Sequence, residues 1–155
     1  MHGLIILHLI FALTMNSWQS LSVDIQGDIP DPEYYSDSVF DKRIKTVQLY
    51  KEGWNLSYPI IKLDSDEKLV LQFDLLDNKI ESYDYTFIHC DKDWKRSDIF
   101  TNAYLDGFPD NQIEDVKPSF NTTVNYNHYK IIFPNDRIRF TSSGNYIICV
   151  YPYGE

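Results

Sequence analysis

The densest run of side chains with chemistry to offer is His89-Cys90-Asp91-Lys92-Asp93-Trp94. Imidazole, thiolate and carboxylate are the donors of a transition-metal site, and His89, Cys90 and Asp91, with His128 as a fourth, would be its ligands. Cysteine beside histidine is also the pair from which a thiolate nucleophile is made. Both chemistries need their groups to converge. Neighbours on a strand point to opposite faces, so His89 and Cys90 converge only where the strand bulges. No third group that would orient a base can be picked out either. The spacing therefore favours a structural role: His89 and Asp91 hydrogen-bond at a strand-end turn, with Trp94 packed beneath. No metal, cofactor or catalytic residue is expected. Phosphate loops, nucleophile elbows and dinucleotide fingerprints are missing from the sequence, which favours a protein that is not an enzyme.

Two cysteines in an exported chain invite a bridge, and Cys90 and Cys149 are the candidate pair. Against it, Tyr146, Ile148 and Val150 form the apolar face of their segment, which turns Cys149 away from the core. Buried free thiols are the alternative. The export reading rests on Leu4 to Leu13 (LIILHLIFAL), ten apolar residues, too short to span a bilayer and the right length for a leader core. Small residues at Ser17, Ser20 and Ser22 put cleavage between Ser20 and Val23. The competing reading of the same run is a buried N-terminal strand.

The elements that would position these residues are strands. The 155 residues suffice for one domain. Aromatic content is 15%, with twelve Tyr and nine Phe, types that suit a pleated, half-buried surface. Alanine, the best helix former, occurs only at Ala12 and Ala103. Residues 23–43 are polar and Pro-punctuated and read as an extended arm. Ile44 to Tyr50 alternates; Pro59 to Leu63 is a short piece opened by Pro. Leu69, Leu71, Phe73 and Leu75 recur at period two, as do Tyr83, Tyr85, Phe87 and His89. Further strands are expected within Ser119 to Phe133 and at Gly144 to Tyr151. Asp91 to Lys117 has no clean period and exceeds an ordinary connection, so it is either functional or carries short structure of its own. The whole reads as an immunoglobulin- or fibronectin-like β-sandwich over residues 44–155, preceded by a leader at 1–22 and the arm at 23–43. Such a sandwich closes with one more strand after the apolar Gly144 to Tyr151 segment. That segment is accordingly expected to present an unpaired edge.

A net charge of -9 with scattered basic residues excludes a nucleic-acid surface and disfavours anionic membranes. Neither direct membrane insertion nor a small-molecule substrate is expected. Most strand aromatics belong to the core. Tyr104, Leu105 and Phe108 sit in the long aperiodic stretch, flanked by Asp106 and Asp110, and there a partner contact is expected, because aromatics anchor interfaces. Trp54, Tyr58, Tyr104 and Phe108 could instead form a platform for sugars, the reading of a carbohydrate-binding module.

Several words, in order, carry a family resemblance. They run from Ile44-Lys45-Thr46-Val47-Gln48-Leu49-Tyr50 through Gly53-Trp54, Pro59-Ile60-Ile61, Phe73-Asp74 and His89-Cys90-Asp91 with Trp94 and Ser97. Tyr104-Leu105, Gly107-Phe108, Ile113-Glu114-Asp115, Ser119-Phe120-Asn121-Thr122, His128-Tyr129, Pro134-Asn135 and Ser143-Gly144-Asn145-Tyr146 complete them. From about Ile44 to Tyr151 the chain resembles the N-terminal domain of the type IX secretion system plug proteins of Bacteroidetes-type bacteria, whose members are several-fold longer. The resemblance implies a periplasmic protein at the inner face of the outer membrane. It would dock on a giant outer-membrane β-barrel translocon and close its periplasmic mouth, a binding and gating task without chemistry.

Overall fold

The computed structural model describes the backbone of Leu4–Phe11 and residues 37–154. The expected cleavage region and residues 23–36 of the arm lie outside the described residues. Strands β1 (Leu4–Phe11), β2 (Ser38–Val39), β3 (Ile44–Lys51), β4 (Ile60–Lys62), β5 (Leu69–Leu75) and β6 (Tyr83–Cys90) come first. One helical turn follows, α1 (Thr101–Tyr104), then β7 (Leu105–Gly107), β8 (Asp110–Gln112), β9 (Asp115–Pro118), β10 (Asn127–Phe133), β11 (Ile138–Phe140) and β12 (Gly144–Pro152). The fold is all-β. One sheet runs β2-β1-β12-β6-β8, with β4 also on β1; the second runs β3-β5-β10-β9; β11 and β7 form a small ribbon.

Period-two patterning places the core. Leu69, Leu71, Phe73 and Leu75 of β5 and Tyr129, Ile131 and Phe133 of β10 are buried, and they meet Tyr83, Tyr85, Phe87, Tyr146, Ile148 and Val150 of the other sheet in one cluster. The sheets interlock through rings. Phe73 stacks on Tyr129 at 4.8 Å, Tyr83 meets both edge-on at 5.7 and 5.3 Å, and Phe87 meets Phe133 at 4.9 Å. Edge-to-face and offset pairs of this kind each add about 0.5–1.5 kcal/mol beyond the area they bury.

In β3 the alternation is interrupted. Ile44 pairs with Leu75 and Leu49 with Leu71, and the register shifts between Lys45 and Gln48. Thr46 takes a left-handed φ of 51° there, and its hydroxyl bonds the Asp74 carboxylate. The bulge lets Ile44 and Leu49, an odd number of residues apart, both turn toward β5's core face.

Residues 91–117 carry short structure. α1 and β7 fold onto the core, β8 pairs with β6 in one sheet, and β9 pairs with β10 in the other. The stretch is the crossing between the two sheets, and its brevity of elements explains why it shows no period. At the β7–β11 ribbon, a Cβ on Gly107 would meet the Arg137 carbonyl oxygen at 1.9 Å, at a φ of +120°, so only glycine fits that approach.

Two features depart from the sequence reading. Leu4–Phe11, the apolar run read as a leader core, is a strand here. The edge of β12, expected to be unpaired, carries that strand in parallel from Ile5↔Gly144 to Phe11↔Val150.

One end of the sandwich is closed by Arg43. Its guanidinium reaches Asp41 at 2.8 Å, Asp77 at 2.9 Å and Glu81 at 2.7 Å, tying the arm's end to the β5–β6 turn. Burial alone would raise the Asp41 pKa, but its hydrogen bonds to Arg43 outweigh that and hold the carboxyl below its ordinary 3.8. A carboxyl depressed in the folded state contributes stability that is complete above its unfolded pKa and fades as pH falls through the lower folded value. Arg43→Gln is expected to cost about 1–2 kcal/mol at pH 7, the low end for charged hydrogen bonds because the guanidinium is partly exposed. Urea unfolding from pH 7 to 3 should show the wild type losing stability below about pH 4 and the variant losing less. Parallel curves would mean that Arg43 does not close this end of the sandwich.

Candidate interaction surface

His89 closes the inward face of β6. Its ring meets Tyr146 edge-on at 5.0 Å and Tyr104 at 5.5 Å. Nε2 lies 3.2 Å from the Ser143 carbonyl, which can only accept, so Nε2 carries the proton. Nδ1 then accepts from the Ser97 hydroxyl at 2.8 Å. A Cβ on Gly144 would meet Nε2 at 2.3 Å. Asp91 caps the following turn: one carboxylate oxygen accepts from the amides of Asp93 (2.8 Å) and Lys95 (3.0 Å). Those bonds, the Lys95 one first, lower the Asp91 pKa. Trp94 is half-buried at a left-handed φ of 62°. These contacts hold β6, the turn and the start of β12 together.

The metal-type donors do not converge. Cys90 points to the sheet face opposite His89, and His128 lies on the other sheet, bonded to Asp74 at 2.7 Å. Among the described residues no three His, Cys, Asp or Glu side chains are grouped to hold an ion. The expected Cys90–Cys149 bridge is not formed; both thiols are free. Cys90 lies opposite Asn145 and Cys149 opposite Thr86. The two share a face but are four positions apart along the sheet, about 13 Å at strand rise, beyond any disulfide. Burial pushes Cys90 up to about 11 and Cys149 up to about 12, so neither is a thiolate nucleophile near neutrality.

The expected partner contact is divided by burial. Tyr104 and Leu105 are 5% and 3% exposed, whereas Phe108 is 72% exposed. Tyr104 is a core residue, its hydroxyl donating to the Phe87 carbonyl at 3.2 Å, and Leu105 pairs with Phe140 in the ribbon. Neither can meet a partner from there. The sequence hides this because the α1–β7 hook that folds them inward has no periodic signature. Phe108 stays outside, as do Ile99 and Phe100.

A second apolar surface is better built. After β3, residues 51–58 form a double turn. Trp54 N–H donates to the Lys51 carbonyl and Ser57 N–H to the Trp54 carbonyl, both at 3.0 Å. Ser57 Oγ accepts from the Lys51 amide at 2.7 Å, and Gly53 takes the left-handed φ of 82° that the turn requires. The loop is held by its own backbone, yet Trp54, Leu56 and Tyr58 are 63%, 90% and 82% exposed. Beneath them a hollow of about 400 Å³ is lined by Trp54, Leu56, Tyr58 and Ile61 and rimmed by the Lys51–Glu67 ion pair. An apolar surface fixed in shape before anything binds suits recognition of a polypeptide. Leu56 gives no sequence signal, since a lone leucine in a turn resembles any other.

The family model described as "Type 9 secretion system plug protein 1st domain" matches residues 44–155. The chain belongs to that family. Membership gives it a role related to the plug of type IX secretion and associates it with that machinery in the cell envelope. Among solved structures, the chain is similar to a hypothetical protein from Parabacteroides merdae, with 38% identity and a TM-score of 0.70. The likeness covers 72% of this chain and 28% of that one, so this chain spans little more than a quarter of its relative. No curated protein matches.

Tyr104→Ala is expected to destabilise the domain by about 3–5 kcal/mol, as for a buried aromatic, whereas Phe108→Ala should change stability by less than about 0.5 kcal/mol. Chemical denaturation of both reports this directly, and equal effects would mean the hook is misplaced. In native protein at pH 7.5 both thiols should be alkylated on the order of a hundredfold more slowly than free cysteine, with full reactivity in urea.

Proposed function

We propose that this domain belongs to a periplasmic plug protein that docks on the large outer-membrane β-barrel translocon of type IX secretion and closes its periplasmic mouth. The task is binding and gating, without chemistry. The observation that carries the reading is the family match over residues 44–155, which takes in the sandwich from β3 onward. The leader-like Leu4 to Leu13 run supports export, and the net charge of -9 supports a molecule that stays in solution beside the membrane. The pinned Trp54–Tyr58 turn and the exposed Phe108 are the contacts we assign to docking, since exposed aromatics on preorganised loops make interface anchors.

A pull-down tests it. The tagged chain is incubated with detergent-solubilised outer membranes of a type IX-secreting bacterium, beside Trp54→Ala/Tyr58→Ala and Phe108→Ala variants. Retention of a very large barrel protein by the unmodified chain, with loss in the turn double variant, is expected. A folded chain that retains no barrel would remove the docking reading. Exposed Trp54 and Tyr58 also fit the second reading, a carbohydrate-binding module. A saturable Trp fluorescence change with one glycan of a panel would favour that class over docking.

A further inference from the structure

We propose that the gap between β12 and β4 is an acceptor slot for one extended apolar strand. Leu4–Phe11 fills it in the intact chain, and an apolar strand of a partner polypeptide fills it once that segment has been removed. The proposal rests on the leader reading of Leu4 to Leu13 but not on translocon docking.

The slot has two walls. Along one, β1 pairs in parallel with β12 over seven positions, Ile5↔Gly144 to Phe11↔Val150. Along the other, Leu4 to Ile6 pair antiparallel with Lys62 to Ile60 of β4, and Ile10–Phe11 pair with β2. The occupant is thus an interior strand. Without it, β12 becomes a nine-residue edge next to a strand-wide gap, with a row of free amides and carbonyls.

The walls also define what fits. β12 (GNYIICVYP) carries no charge. Tyr146, Ile148 and Val150 are buried on its core face, and Ile147, on the other face, is only 1% exposed. A strand beside it has apolar neighbours on both faces, so the slot selects a segment apolar throughout rather than one that alternates. LIILHLIF, with His8 its one polar residue, has that composition. The same composition makes a leader core. Cleavage between Ser20 and Val23 would therefore remove the occupant and leave an edge suited to strand addition by a partner.

Register makes this testable. Ile10 lies opposite Cys149 and Leu9 opposite Ile148. Full chains carrying Ile10→Cys or Leu9→Cys are oxidised with diamide and peptide-mapped. Ile10→Cys should bridge to Cys149, and Leu9→Cys should not. No bridge, or equal bridging from both positions, overturns the seat. For the partner strand, the full chain carries Leu7→Pro and Leu9→Pro, which an interior strand cannot hold. An eight-residue peptide of the Leu4–Phe11 sequence carrying Ile10→Cys is then offered. The proline variant should capture it at Cys149 and the unmodified chain should not. A folded proline variant that captures no peptide overturns strand acceptance. If the prolines prevent folding, the same peptide is offered to the exported, processed chain from the periplasm. Capture at Cys149 there supports strand acceptance, and its absence overturns it. The barrel pull-down takes no part in either arm, so the two readings fail separately.

Discussion

A core built from tyrosine must carry its hydroxyls to partners, and that requirement organises the rest of this domain. A buried hydroxyl left without a partner costs on the order of 1–3 kcal/mol. Tyr129 therefore spans the core to donate to the Glu81 carbonyl at 2.7 Å while accepting from the Glu81 amide at 3.0 Å. Tyr146 reaches the Ser142 carbonyl at 2.6 Å, Tyr83 the Glu81 carboxylate at 3.2 Å, and Tyr104 the Phe87 carbonyl at 3.2 Å. Tyr129, Tyr83 and Tyr146 end on connections rather than on ladders. Packing the rings thus fixes the β5–β6 and β11–β12 connections, which a phenylalanine core would leave to their own turns. Glu81 then passes the constraint to Arg43, and Arg43 to Asp41, where the arm joins the sandwich.

The surface follows from the same division. Connections tied to the core by hydroxyls are buried where they attach, so exposed apolar side chains collect on turns held by their own backbone. The Trp54–Tyr58 turn is one. The β9–β10 connection is another, with the Ser119 hydroxyl accepting from the Tyr126 amide at 2.9 Å and Phe120 standing 93% exposed. Fixed turns carrying exposed aromatics lose little entropy when a partner covers them. That is the physical content behind assigning this domain a binding role.

The sandwich is legible in the sequence because β5, β6, β10 and β12 are each buried on one face, and a two-residue period records that directly. Residues 91–117 are not, since α1 and β7 to β9 are three or four residues long, too short for a period to emerge. Tyr104 and Leu105 look like loop aromatics and loop leucines until the hook folds them inward. His89, Asp91 and Trp94 are legible as a turn because carboxylates two and four residues before orphan amides have a local use. The cysteine pair is excluded as a bridge by register, which face parity alone does not supply. The long-range closure by Arg43 leaves no trace, since its acidic partners are scattered through the chain.

The apolar run at the N-terminus shows why one sequence supports two readings. A leader core and an interior strand impose the same demand, about eight to ten uncharged residues without a break. What separates them is the neighbour. A leader core needs only a binding groove during export, whereas a strand needs an edge in register, and β12 offers one with no charge along its length. An edge that apolar and long is a hazard in any exported domain left with it exposed. Its preservation in β12 is therefore best understood as preparation for a strand, since a protected edge would carry a lysine, a proline or a bulge within it, and Gly144 to Tyr151 has none of these.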